Sequence, residues 1–147
     1  MKEVDEITAD VLNVALRLHR DLGPGLLESV YEALLAGRLR GLGYLVERQK
    51  AISATFEGVC FEAAFRADLL VEEQLVGEIK SADRLMPVHS KQLLTYLRLM
   101  KQPVGLLINF GGETLKEGVK RVVNDYRPSA PSLSSPRLRV NNPSSGA

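Results

Sequence analysis

The sequence predicts an α/β fold, a mixed sheet flanked by helices, on three observations. Apolar residues recur at helical spacing over residues 4–20, 26–40 and 87–101, the mark of amphipathic helices. Residues 44–80 instead show short alternating or continuously apolar runs bounded by polar turns, as strands do. The third helical segment lies between two such runs, 75–80 and 104–110. A right-handed strand–helix–strand crossover makes those two strands parallel and close together.

In the first helix Ile7, Val11, Val14 and Leu18 share a face, with Glu6, Asp10, Asn13 and Arg17 opposite. Asp21-Leu22-Gly23-Pro24-Gly25 breaks it. The second helix draws its apolar positions from Val30, Leu34 and Leu35 and stops at Gly41-Leu42-Gly43. Residues 44–49 and 52–56 make one long or broken strand, Glu57-Gly58 turns the chain, and residues 59–65 return. Two further strands, 67–71 and 75–80, flank the turn Glu72-Glu73-Gln74. After a loop, Pro87 opens the third helix, which directs Leu93, Leu94, Leu97 and Met100 inward. Residues 104–110 are almost continuously apolar, as in a strand covered on both faces. Gly111-Gly112 turns the chain, and residues 115–123 hold either a last short strand at 119–123 or a helical turn.

A chain of 147 residues, 45% hydrophobic and 25% charged, suits one domain with its own core. We expect that domain over residues 1–126, followed by a disordered tail at 127–147 rich in Ser, Pro and Asn. A net charge of +1 exerts no general pull on nucleic acid or membrane, so any such affinity rests on a local patch. Lys91 and Arg98, seven apart on the third helix, share a face for such a patch or for plain solvation. The single cysteine, Cys60, excludes an internal disulfide and is expected half-buried on its strand; no Cys/His cluster points to zinc. With a charged start and no membrane-length apolar run, a cytoplasmic, reducing location is the expectation.

The chemistry concentrates on Asp68, Glu78 and Lys80. Residues two apart on a strand point the same way, so Glu78 and Lys80 share a face, and Asp68 comes alongside Glu78 if the two strands pair. Two unit charges of one sign about 4 Å apart repel by roughly 4 kcal/mol at an effective dielectric near 20. A shared proton, a cation between them, or Lys80 relieves this. A divalent ion on two carboxylates with open positions for water and phosphate oxygens is what metal-assisted phosphodiester hydrolysis uses. The plainer alternative is a surface salt bridge of Lys80 with either carboxylate.

Two other spacings stand beside this one. In Gly25-Leu26-Leu27-Glu28-Ser29-Val30-Tyr31, Glu28 and Tyr31 share a helical face, and Glu28 alone is a favourable charge at a helix start. In Gln92-Leu93-Leu94-Thr95-Tyr96, an amide and a phenol one turn apart either hold phosphate oxygens or serve the core and the solvent.

The order G-x-x-E-x-x-Y, Asp, E-x-K, Q-x-x-x-Y resembles the GxxExxY protein family of the PD-(D/E)XK nuclease-like superfamily, with a RecB- and Cas4-like pattern. Leu22-Gly23-Pro24-Gly25, Pro87-Val88-His89 and Leu106-Leu107-Ile108-Asn109-Phe110-Gly111 are similar to that family as well. The resemblance covers roughly residues 5–125, and Ala67 stands where the superfamily's leading proline would precede Asp68. It implies a restriction-endonuclease-like fold in which Asp68, Glu78 and the Ile79 carbonyl hold Mg²⁺ or Mn²⁺ and Lys80 positions water. Glu28 would complete the metal site or support it, and Gln92 and Tyr96 would orient phosphate or ligands. Tyr31 and His19 are candidates for supporting positions, since RecB-like enzymes use a histidine from the N-terminal helical region.

Three functional classes follow. The first is a metal-dependent nuclease acting on DNA or RNA. The second is a catalytically silent nuclease-fold module that binds nucleic acid or a protein partner. The third is a homodimer whose outward helices serve association. The intact set Glu28, Asp68, Glu78, Lys80, Gln92 and Tyr96 favours the enzyme.

Overall fold

The computed structural model describes residues 2–124, so the tail expected at 127–147 lies outside the described residues. Helices α1 (Val4–Leu22) and α2 (Glu28–Gly41) lead into strands β1 (Val46–Phe56), β2 (Val59–Val71) and β3 (Leu75–Lys80). Helix α3 (Pro87–Met100), strand β4 (Val104–Asn109), a 3-10 turn and strand β5 (Val119–Val123) follow. Among the described residues the strands form one sheet in the order β1-β2-β3-β4-β5. β3 and β4 run parallel, as their helical crossover dictates, and the other neighbours are antiparallel. The α/β architecture expected from the periodicities is the one found.

Strand alternation sorts the apolar residues into two layers. Leu69, Val71, Leu75, Ile79, Leu106 and Ile108 pack with Ile7, Val11, Leu18, Tyr31, Leu35 and Leu39 of α1 and α2. Leu70, Val76 and Leu107 turn to the other face and pack with Leu93 and Leu97 of α3. Burial on both faces explains the near-continuous apolar runs of the central strands. Helix α1 ends at Gly23, whose φ of 74° is open to glycine at little cost.

Several expectations are corrected. The runs at 59–65 and 67–71 are one strand, β2, because Arg66 and Ala67 carry no turn signal and β1 pairs along its length. Of the two forms expected for residues 44–56, one long strand is found, β1, in which a register shift between Ile52 and Ala54 and a positive φ at Gln49 absorb the irregularity. In α2 the inward stripe is Tyr31, Glu32, Leu35, Ala36 and Leu39, while Val30 and Leu34 are exposed. The fully buried Tyr31 ring, stacked on Phe110 with centroids 4.5 Å apart, sets that rotation. In α3, Leu93 and Leu97 are buried but Leu94 and Met100 only partly so. Cys60 is exposed, in the outer part of the β1–β2 hairpin where β2 is exposed along six residues.

Candidate functional site

β2 and β3 pair at Leu69–Gly77, Leu70–Val76 and Val71–Leu75. Beyond Leu69 side chains continue the ladder. The Ile79 N–H donates to Asp68 Oδ2 at 2.8 Å, and the Asp68 N–H donates to Glu78 Oε2 at 3.1 Å. Each carboxylate stands in for a strand carbonyl, accepting from a main-chain donor of the neighbouring strand. The reciprocity fixes both side chains and brings Asp68 and Glu78 together.

Glu78 is buried, and its carboxyl is pushed up to about 8, first by burial and then by the charge of Asp68. The Asp68 N–H and the Lys80 ammonium pull the other way, and Glu32 adds a further push. Lys80 forms no ion pair among the described residues, so the plain salt bridge with Asp68 or Glu78 is not made. It lies close enough to act on the charge of Glu78 and is only partly buried.

The end of β3 is clamped from two sides. Asn109, 2% exposed, accepts from the Ala82 and Gly111 N–H groups and donates to the Ala82 carbonyl. Gly111 is required there, since a Cβ would meet the Ala82 carbonyl oxygen at 2.1 Å. On the other side Glu28 Oε2 accepts the Ser81 N–H at 3.2 Å, and Ser81 Oγ donates to the Leu26 carbonyl at 2.7 Å. Leu26, Leu27, Glu28, Ser29 and Ser81 line an open cleft of about 400 Å³. Glu28 is thus exposed and beside the residue after Lys80, in contact with neither Asp68 nor Glu78 through a hydrogen bond.

From the face of the sheet that holds Val76, α3 presents Tyr96. Its ring stacks on Phe65 with centroids 3.9 Å apart and planes 7° from parallel. Burial first, then the charges of Glu78 and Asp68, push its hydroxyl up, so it lies in their field. Gln92, one turn earlier, is exposed and hydrogen-bonds to neither carboxylate among the described residues.

Two expected supporting residues are engaged elsewhere. The Tyr31 hydroxyl donates to the Gly23 carbonyl at 2.6 Å and accepts the Leu26 N–H at 3.2 Å, which braces the Gly-Pro-Gly bend. His19 is buried with Nε2 2.9 Å from the Gly112 carbonyl. A carbonyl only accepts, so that nitrogen carries the hydrogen and has no lone pair for a metal.

Sequence reasoning missed Glu32 and Gln49. Glu32, 4% exposed, pairs with Arg48 at 3.0 Å and accepts from Gln49, whose amide also reaches Asp68. The available signal was position: Glu32 falls on the stripe of Leu35, Ala36 and Leu39 and four residues after Glu28. A charge at a core position calls for partners.

The donor set suits a hard divalent cation. Carboxylate oxygens are the ligands Mg²⁺ and Mn²⁺ prefer, Mg²⁺ needs as few as one or two from protein, and a cation would favour the ionised form of Glu78. Among the described residues no group of three or more His, Cys, Asp or Glu side chains is placed to hold a metal. No helix among the described residues is long and apolar enough to cross a membrane. No curated protein and no solved structure matches the chain. The family model of the PD-(D/E)XK nuclease superfamily matches residues 5–122, from the start of α1 into β5, and the five-stranded mixed sheet with its three helices is consistent with a restriction-endonuclease-like domain. With that span matched, and with Asp68 and the Glu78-Ile79-Lys80 tripeptide on neighbouring strands, the chain belongs to the PD-(D/E)XK nuclease superfamily.

Proposed function

We propose that the protein is a metal-dependent nuclease that hydrolyses phosphodiester bonds of DNA or RNA with Mg²⁺ or Mn²⁺, working in the cytoplasm. The supporting observation is the reciprocal clamp of Asp68 and Glu78 with Lys80 beside it, which forms no ion pair among the described residues. A bound divalent cation supplies charge neutralisation at the phosphate and activation of water. Asp68 and Glu78 would bind it, together with the carbonyl of Ile79, the residue that follows Glu78. Lys80 offers its N–H donors to the attacking water and to developing negative charge. Tyr96 and Gln92 border the scissile phosphate from α3, and Glu28 lines the cleft at the end of β3. The G-x-x-E-x-x-Y pattern supports placing the chain in the GxxExxY group.

The test is calorimetric titration of Mn²⁺ and Mg²⁺, followed by cleavage assays on single- and double-stranded DNA and RNA. Wild type is expected to bind. Asp68→Asn, which leaves an oxygen to accept the Ile79 N–H, is expected to keep the fold and lose binding. Lys80→Ala is expected to bind Mn²⁺ within a few-fold of wild type while cleavage falls by about 10²-fold or more. Absence of binding by wild type, even with nucleic acid present, would leave the catalytically silent module as the reading.

A further inference from the structure

The second turn of α2 and the first half of β1 hold a polar arrangement for which the cation site gives the best account. Glu32 is a buried carboxylate on the inward stripe of α2, and such a group is costly unless donors meet it. Arg48 Nε donates to its Oε2 at 3.0 Å, and Gln49 Nε2 donates to its Oε1 at 2.8 Å. The same Gln49 nitrogen donates to Asp68 Oδ1 at 3.0 Å. A primary amide has two N–H hydrogens, and here each goes to a different carboxylate.

This fixes the amide. Ionised carboxylates only accept, so turning the amide over would aim its oxygen at two anions. Glu32 therefore orients Gln49, and Gln49 orients Asp68. Arg48 pairs with Leu69 and Lys50 with Ala67, which sets Gln49 abreast of Asp68 on the adjoining strand. At that position the backbone leaves strand geometry, with φ at 49°, a region uncommon for any residue but glycine. Backbone strain of this kind persists where the surroundings over-determine it and clusters at functional sites.

The effect falls on Asp68. Its Oδ2 accepts the Ile79 N–H and its Oδ1 accepts Gln49. A carboxylate oxygen has two lone-pair directions, so each retains one for a cation while the two hydrogen bonds hold the carboxylate plane. We propose that Gln49, oriented by Glu32, is a positioning residue that holds the Asp68 carboxylate ready for a divalent cation. The proposal rests on the reading that Asp68 is a cation ligand.

Mn²⁺ calorimetry on Gln49→Leu, which keeps the bulk and removes both donors, tests it. The expected result is an affinity lower by about 10–100-fold, the usual consequence of removing a hydrogen bond from a liganding group, with the wild-type circular dichroism spectrum. Arg48→Ala, which removes the other donor to Glu32 but leaves Gln49, is expected to stay within about threefold of wild type, a margin narrower than that loss. A merely structural role for Gln49 lowers the melting temperature and leaves Mn²⁺ affinity unchanged, and that outcome overturns the proposal. Should Gln49→Leu fail to fold, ¹⁵N NMR of the wild type decides. The Gln49 side-chain hydrogens are expected to be protected from exchange and to shift on addition of Mg²⁺, whereas free exchange overturns the proposal. If wild type binds no Mn²⁺, the cation reading fails and this inference with it; if wild type binds and Gln49→Leu binds equally well, this inference alone fails.

Discussion

The two halves of β2 are one continuous strand with different lives. Up to Phe65 it pairs with β1 alone and is largely exposed, Phe61 retaining 48% of its surface. From Leu69 it has β1 on one side and β3 on the other, and Leu69 is 1% exposed. Leu69 faces the layer of α1 and α2, and Leu70 faces α3. Asp68 stands at the junction. The contrast teaches where a fold can hold two carboxyl groups together: strand neighbours on both sides and a packed layer on each face leave few ways to open locally. A strand with one partner and one open side has no such restraint.

Three experiments test the contrast, beginning with the largest effect. Leu69→Ala removes a buried side chain from the enclosed half and is expected to cost about 2–5 kcal/mol in denaturant unfolding; a cost below about 1 kcal/mol would mean that this half is not tightly packed. Glu78 reads the enclosure through pH. Its carboxyl is raised from an ordinary 4.5 to about 8, chiefly by burial, so the folded protein keeps a proton that the unfolded chain releases. In the metal-free protein this contribution to stability is full below pH 4.5 and is lost as pH rises to about 8, at up to about 1.4 kcal/mol per pH unit. Glu78→Gln is expected to flatten that part of the profile, and an unchanged slope would assign it to other groups. The smallest effect belongs to the outer half, where Phe61→Ser is expected to shift stability by no more than about 0.5 kcal/mol. A larger loss would show that the hairpin tip packs more firmly than its exposure implies.

Much of this was legible in the chain. Period alone placed three helices and the central strands to within a few residues, because an amphipathic face must follow the geometry of the element that buries it. Misplacements arose where a local pattern had two solutions. Val30 and Leu34 are apolar and helically spaced, yet the Tyr31 ring against Phe110 rotated α2 and left them outside. Cys60 alternates like a strand residue, but its side chain stays exposed.

At the site the division is similar. Asp68, Glu78 and Lys80 could be placed together because the turn at 72–74 and a two-residue period set their register. Glu28 was legible as a residue at a helix start but not as a partner of Ser81. Glu32 and Gln49 are 17 residues apart on different elements, and no local pattern links a helix turn to a strand irregularity. The sequence by itself determined the element order, the parallel crossover and the carboxylates that meet across β2 and β3, since each follows from short-range period and chain connectivity. Tertiary structure alone decided which carboxylate is buried, which is exposed at the cleft and which amide donates to Asp68. Those outcomes depend on how α2 docks against the sheet, and docking is settled by the summed packing of residues distant in the chain.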